Sequence, residues 1–193
     1  MCGRYQFTVT QCAEILRIVR DVQEKYGEGT WKPGEILPSS TAPVLVRRQG
    51  TIIPELFTWG FRLPNTLVIN ARAETALEKP LFRDSVANGR CVVPSTGFFE
   101  WDSGKRKYLF TLPGCDVLYM AGLCAVRDGQ SCYCILTTNA NESMREVHNR
   151  MPLVLTREQV PLWLERLEAV PDILQSQPPP LERTVMDTQI SLW

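Results

Sequence analysis

One histidine, His148, occurs in 193 residues, and that scarcity excludes a good deal. Structural zinc sites draw on clustered His and Cys ligands at short spacing, and the seven cysteines include no Cys-x-x-Cys pair. No metal site is expected, and nothing calls for an organic cofactor. Excess charge is also missing: 21 Lys and Arg balance 21 Asp and Glu, so any phosphate binding must come from a local basic patch. No apolar run approaches the roughly 18–20 residues of a membrane span. The first thirty residues lack the apolar centre of a signal peptide, so a soluble cytoplasmic protein is expected. There is no internal repeat, and Pro178-Pro179-Pro180 is the one low-complexity tract. Seven cysteines suggest a disulfide scaffold, but a chain of this length with 44% hydrophobic residues can bury its own core without one. Cys12, Cys91, Cys115, Cys124, Cys132 and Cys134 read as small core or strand residues. Cys132 and Cys134 lie two apart in a strand-like run and should share a face.

What is present is a succession of short apolar runs. Tyr5–Thr8 alternates like a strand. Thr10 opens a helical pattern to about Arg20 or beyond, with Cys12, Ile15, Leu16 and Val19 on one face. Gly27–Ser40 reads as a loop. Val44–Arg48 and Ile52–Trp59 read as strands about a Gln49-Gly50 turn, followed by a short strand at Leu67–Ile69. Arg72–Val86 mixes helical turns with a break at Pro80. After the Asn88-Gly89 turn come strands at Cys91–Val93, Phe98–Trp101, Tyr108–Leu112, Leu118–Val126 and Cys132–Thr137. Thr156-x-x-Gln159 resembles a capping box opening a helix through Leu167. Arg183–Trp193 could add one last short element. The expectation is a single α+β domain, 1–193, built on antiparallel sheets as a partly closed barrel with a few flanking helices.

Four positions carry chemistry. Removal of Met1 would make Cys2 the amino terminus, with a free α-amine and a thiol on adjacent carbons. Such a 1,2-aminothiol condenses with an aldehyde through nitrogen and then closes a five-membered thiazolidine through sulfur. The two groups titrate near ~7.7–8.0 and ~8.5 in ordinary surroundings, so both are partly nucleophilic at neutral pH. Glu100 ends the run Gly97-Phe98-Phe99-Glu100-Trp101 and should share the core-facing side with Phe98. A carboxylate there costs several kcal/mol unless paired or neutral, and such groups serve as general acids and bases. Asn70 follows the apolar Leu67-Val68-Ile69, where a core strand would not place an amide. His148 lies in a polar stretch, flanked by Asn149 and Arg150, that suits a phosphate or an anionic leaving group.

Met1-Cys2-Gly3-Arg4-Tyr5, Trp59-Gly60, Asn70-Ala71-Arg72-Ala73-Glu74-Thr75, Cys91-x-x-Pro94-x-x-Gly97-Phe98-Phe99-Glu100-Trp101 and His148-Asn149-Arg150-Met151-Pro152 follow one another in this order. Together they resemble the SOS-response-associated peptidase (SRAP) family, proteins that cross-link covalently to abasic sites in single-stranded DNA. The likeness covers roughly residues 1–155. It implies that Cys2 is the nucleophile and that Asn70 orients the opened sugar and the terminus. It implies that Glu100 shuttles protons and that His148 is a second acid–base group beside the sugar hydroxyls or the 3′ phosphate. Arg4, Arg72 and Arg150 become backbone-phosphate contacts on one face, with Arg150 alternatively supporting its motif. Trp59 and Pro38 become an apolar wedge that unstacks bases, the alternative for Trp59 being core packing. The implied partner is single-stranded DNA bearing abasic sites, met by a monomer that is nucleoid-associated if the source is bacterial.

The chemistry is consistent with this without the family. The Cys2 amine gives an imine with the open-chain sugar, and the imine could drive β-elimination. A thiol two bonds away competes, and intramolecular additions reach effective concentrations of ~10⁵–10⁸ M, so ring closure should win. Two rival readings stay open. One is an N-terminal-nucleophile cysteine peptidase that processes itself, with the α-amine as base for its own thiol. The other is a non-catalytic single-strand DNA-binding module.

Overall fold

Alternation of apolar and polar residues dominates the chain, and the computed structural model shows it as fifteen strands and four α-helices among the described residues, 2–186. In chain order the first half contains β1 (Tyr5–Phe7), α1 (Ala13–Tyr26), β2 (Gly34–Ile36), β3 (Thr41–Arg48), β4 (Thr51–Trp59), β5 (Phe61–Leu63), β6 (Thr66–Val68), β7 (Asn70–Arg72) and α2 (Pro80–Asn88). The second half contains β8 (Arg90–Ser95), β9 (Gly97–Trp101), β10 (Lys107–Thr111), β11 (Leu118–Arg127), β12 (Gln130–Asn139), β13 (Arg150–Pro152), β14 (Val154–Leu155), α3 (Gln159–Glu165), α4 (Val170–Gln175) and β15 (Glu182–Met186). The class is α+β, as the sequence indicates.

The barrel closes fully. The order β12-β4-β3-β8-β11 returns to β12 through the β11–β12 hairpin. Closure removes the free edges that an open sheet of this size would expose. β12 runs parallel to β4 and β7, so the sheet is mixed. A second sheet, β15-β10-β9-β1-β2, is antiparallel throughout. Tyr5 joins the two sheets. Its hydroxyl meets that of Tyr133 on β12 at 2.7 Å, and its ring lies 5.3 Å from Trp59 on β4.

Several local expectations shift. α1 starts after Thr10, at Ala13, and runs on to Tyr26, where Gly27 (φ +86) donates its N–H to the Gln23 carbonyl and stops it. Its buried stripe is Ile15, Ile18 and Val22, flanked by Cys12 and Val19, while Leu16 is 43% exposed. The i, i+3, i+7 spacing makes that the narrower core-facing row. Pro80 does not break a helix but opens α2 as its first residue, where its missing N–H costs nothing. The Gly27–Ser40 loop contains β2. The capping box forms as read: Gln159 N–H donates to Thr156 Oγ1 at 3.3 Å and Thr156 N–H to Gln159 Oε1 at 2.9 Å. Its helix ends at Glu165, short of Leu167. β15 supplies a last element in the tail, and residues 187–193 lie outside the described ones, as does Met1. All seven cysteines are free. Cys91, Cys124, Cys132 and Cys134 are buried and Cys12 is half-buried, but Cys115 sits exposed in the loop after β10 rather than in the core.

The buried thiols make stability depend on alkaline pH. Burial is the largest cause of the raised thiol pKa at Cys91, Cys132 and Cys134, and at Cys2 it pushes the value up to about 12. These four folded thiols therefore hold their protons after unfolded ones, near ~8.5, have lost them, while the hydrogen bond from Cys91 shifts the Cys124 thiol the other way. Above that pH the unfolded chain binds fewer protons, and stability falls. Urea midpoints measured from pH 7 to 10 should decline, steepening above about 8.5. Cys134→Ala should flatten the alkaline limb by up to about 1.4 kcal/mol per pH unit.

Candidate active site at the chain terminus

β1 sits between β2 and β9 and carries the segment Cys2–Arg4 into the molecule. Phe99 N–H donates to the Arg4 carbonyl at 2.9 Å, and Tyr5 lies opposite Phe98. Both contacts lock the terminus in register with β9. Cys2 is 1% exposed, and its Sγ lies 3.8 Å from the Arg4 carbonyl. Asn70 Nδ2 donates to the Cys2 carbonyl at 2.9 Å. The other amide atom, Asn70 Oδ1, is shut off from solvent with no hydrogen-bond partner among the described residues. An orphaned acceptor beside Cys2 suits a ligand hydroxyl or amine.

Trp59 explains why Asn70 is held so firmly. Its indole Nε1–H donates to the Ile69 carbonyl at 3.0 Å, and Ile135 N–H donates to the same oxygen at 3.0 Å. The residue before Asn70 is thus fixed from two sides. Trp59 itself is fully buried, with its ring stacked on Tyr133 at 6.3 Å. No face of it is open to a base, so the wedge role expected for Trp59 is corrected to core packing and positioning. Pro38 is half-buried in the β2–β3 loop, beside the exposed Leu37. That loop is pinned by Ser39 N–H on the Trp59 carbonyl at 2.8 Å and Trp59 N–H on the Ser40 carbonyl at 2.9 Å. The apolar tip on the surface is therefore Leu37-Pro38.

Glu100 faces inward, as strand parity requires. Tyr5 opposes Phe98 and Tyr108 opposes Glu100, so Phe98 and Glu100 share the core side of β9, and Glu100 is 6% exposed. Its charge is the second cause, after burial, of the raised Cys2 thiol pKa. The structure thus brings Cys2, Asn70 and Glu100 to one place. Gly97 allows the approach of β9 to β10: its φ is +153, and a Cβ there would meet the Phe110 carbonyl oxygen at 2.7 Å.

His148 and the arginines stand around this centre in different ways. His148 Nδ1 accepts the Arg150 N–H at 2.9 Å, so the proton of the neutral ring belongs on Nε2. Arg150 is not a surface contact. It forks onto Glu74 at 2.6 and 2.9 Å and also donates to Asn139 Oδ1 and the Thr137 carbonyl. Its side chain is only 13% exposed, so the expected phosphate role is corrected to a bracket. That bracket ties the turn after Arg72 to the end of β12 and to the strand that follows His148. Arg72 is exposed on β7, opposite Thr137. Arg4 donates to Glu35 Oε2 at 2.8 Å and lies 5.4 Å over the Trp101 ring. Lys107 shares Glu35 and lies 3.9 Å over Phe99. Their ammonium and guanidinium groups, Lys107 first, hold the Glu35 carboxyl below the usual carboxylate range. Lys107, Trp101 and Glu35 were not singled out in the sequence. Parity places Phe99 and Trp101 on the opposite side of β9 from Phe98 and Glu100, where Lys107 covers the buried Phe99 ring. No cluster of three or more potential metal ligands occurs among the described residues.

The family model described as SOS response associated peptidase (SRAP) matches residues 1–190 of this chain. The abasic site processing protein YoaM of Bacillus subtilis is 30% identical, over 91% of this chain and 84% of its own length. YoqW, an abasic site processing protein of the same species, is 30% identical over 97% and 90%. The Escherichia coli protein YedK, of the same description, is 25% identical over 86% and 80%. Among solved structures, a Bacteroides thetaiotaomicron protein superposes with a TM-score of 0.78 at 24% identity, covering 97% of this chain and 93% of that one. A Bordetella bronchiseptica protein gives 0.76 at 23%, covering 96% and 100%. The chain belongs to the SRAP family.

The geometry separates bracket from contact among the arginines. Arg150→Ala removes charge-assisted hydrogen bonds worth roughly 1.5–3 kcal/mol each and should lower the melting temperature by several degrees. Arg72→Ala, on an exposed strand position, should leave melting within a degree or so. Thermal unfolding followed by circular dichroism decides; equal effects would return both to one class.

Proposed function

We propose that this chain forms a covalent thiazolidine cross-link with abasic sites in single-stranded DNA through Cys2, after Met1 is removed. The observation that carries the reading is the Asn70 hydrogen bond to the Cys2 carbonyl, in a closed site where the Glu100 carboxyl acts on the same thiol. The names of the relatives and the family membership support it. The Cys2 amine adds to the C1′ aldehyde of the ring-opened sugar and gives a carbinolamine. Glu100 donates the proton that leaves with the hydroxyl as water, forming the protonated imine. Sγ then adds to the imine carbon as its own proton returns to Glu100. One C–N and one C–S bond form, and one water departs. A thiol held protonated to about pH 12 needs that base, which is why a buried carboxylate belongs beside it. Asn70 Oδ1 holds the sugar, and His148 assists at the sugar hydroxyls or the 3′ phosphate.

Arg4 and Arg72 attract the backbone, Leu37-Pro38 separates the neighbouring bases, and Trp101 offers a ring beside Arg4. Base stacking on such groups tolerates any sequence. No described helix is long and apolar enough to cross a membrane. In this reading the protein acts as a monomer in the cytoplasm, at the nucleoid in a bacterial cell, and shields the lesion.

Met1-trimmed protein should be mixed with an oligonucleotide carrying one abasic site, and the product followed on denaturing gels and by intact mass. The expected species is the sum of both masses less one water. Cys2→Ala should give no stable adduct, and Glu100→Gln should slow formation by ~10²–10⁴-fold. A Cys2→Ala protein that cross-links as stably as the wild type would falsify the mechanism. Blocking the α-amine should abolish the adduct but spare simple DNA binding, which separates this reaction from a binding module.

A further inference from the structure

Arg62 and Arg127 line two adjoining cavities that lie outside the Cys2 site. The larger is about 590 Å³ and the smaller about 60 Å³, and both are lined by Arg62, Arg127 and Asp128. Arg127 is held in place from within. Its guanidinium lies 4.7 Å over the Phe61 ring, Nη2 donates to the Leu81 carbonyl at 3.3 Å, and Nε is buried with no partner among the described residues. Arg62 is exposed on β5 and makes no ion pair among the described residues. Beside them Val126 is 71% exposed, a large apolar side chain left in water at the end of β11. Asp128 and Gly129 form the turn into β12, and Asp128 is the one carboxylate in the lining. Two guanidiniums against one carboxylate leave the recess positive.

Its position gives it a meaning. Ser39 walls the smaller cavity, and Ser39 directly follows the Leu37-Pro38 tip. The recess therefore begins where the tip ends, on a loop already pinned to Trp59. Ser39 and Gln130 add short polar groups to its wall. A bare anion would use the arginines alone. A nucleotide unit uses everything present: guanidiniums for the phosphodiester, Val126 under a base, and hydroxyl and amide groups for the sugar or base edge.

We propose that the Arg62–Arg127 recess receives a nucleotide of the single strand flanking the lesion, one step beyond the Leu37-Pro38 tip. The inference rests on the DNA reading above and assigns the path the strand takes away from Cys2. It predicts that affinity depends on strand length and that the covalent step does not depend on this recess.

Binding should be read by fluorescence anisotropy on undamaged oligothymidylate of about twelve nucleotides, a length within the usual single-strand site sizes. Undamaged DNA cannot cross-link, so failure of the covalent mechanism would not mask this result. Arg62→Glu should weaken binding about tenfold and reduce the log–log salt slope by about 0.7, the value for one lost phosphate contact. Val126→Asp, on the neighbouring exposed position, should also weaken it several-fold. Cross-linking of an abasic trinucleotide should proceed at the wild-type rate in both variants, which also shows that they fold. Unchanged affinity and slope in both variants would overturn the proposal. Equal losses with the trinucleotide would overturn it too, because Arg62 would then serve the lesion rather than the flank.

Discussion

Everything at this site depends on holding a chain end still. Termini fray because nothing ties down their first residues, and ordering even one residue costs about 1–2 kcal/mol of backbone entropy. Here the cost is met by contacts that converge over a few residues. Phe99 holds the Arg4 carbonyl, Tyr5 is wedged between Trp59 and Tyr133, and Asn70 holds the Cys2 carbonyl itself. Asn70 can do this because Trp59 and Ile135 both donate to the Ile69 carbonyl. The Trp59 indole is thus tied to Cys2 through three links.

The same burial that orders the terminus suppresses its thiol. A solvent-exposed cysteine near ~8.5 would be partly ionised, and open to oxidation or alkylation, in neutral solution. Burial and the neighbouring Glu100 charge push the Cys2 thiol up to about 12. The sulfur is therefore quiet until an electrophile arrives and a base takes its proton. In the proposed reaction Glu100 is that base, and its inward position follows from the alternation along β9. Gly97 opens this strand with φ +153°, and a Cβ there would meet the Phe110 carbonyl oxygen of β10 at 2.7 Å, which favours glycine.

Part of this was legible in the sequence and part was not, for identifiable reasons. Parity alone put Glu100 on the core side of Phe98, because a strand alternates strictly. The local capping box at Thr156 and Gln159 formed as read because its partners lie within one turn. For Trp59 and Arg150 the sequence leaves a DNA contact and a structural role both open, because their partners are remote. The Trp59 indole meets a carbonyl presented by the β5–β6 excursion, and Arg150 meets Glu74 on a turn 76 residues earlier. An aromatic or a guanidinium reads as a surface contact until its buried partner is known. Closure of the barrel was similarly hidden, since it depends on β12 pairing with both β11 and β4 rather than on any property of β12 alone.

Zero net charge and attraction to a polyanion are compatible once the cations are sorted by what already holds them. Arg150 is spent on Glu74, and Lys25 and Arg48 share Glu55. The Arg150–Glu74 pair neutralises itself and contributes little field beyond a Debye length of about 8–10 Å, while Lys25 and Arg48 on Glu55 keep one positive charge in excess. Arg4 and Lys107 share a single carboxylate, Glu35, so that cluster keeps one positive charge in excess. Arg72 stands exposed on β7. Arg4 follows Cys2 by two residues and Arg72 follows Asn70 by two on β7, so both cations are carried by the segments that carry Cys2 and Asn70. A polyanion responds to the potential at its point of approach rather than to the sum over the molecule, so zero net charge is compatible with the proposed DNA partner.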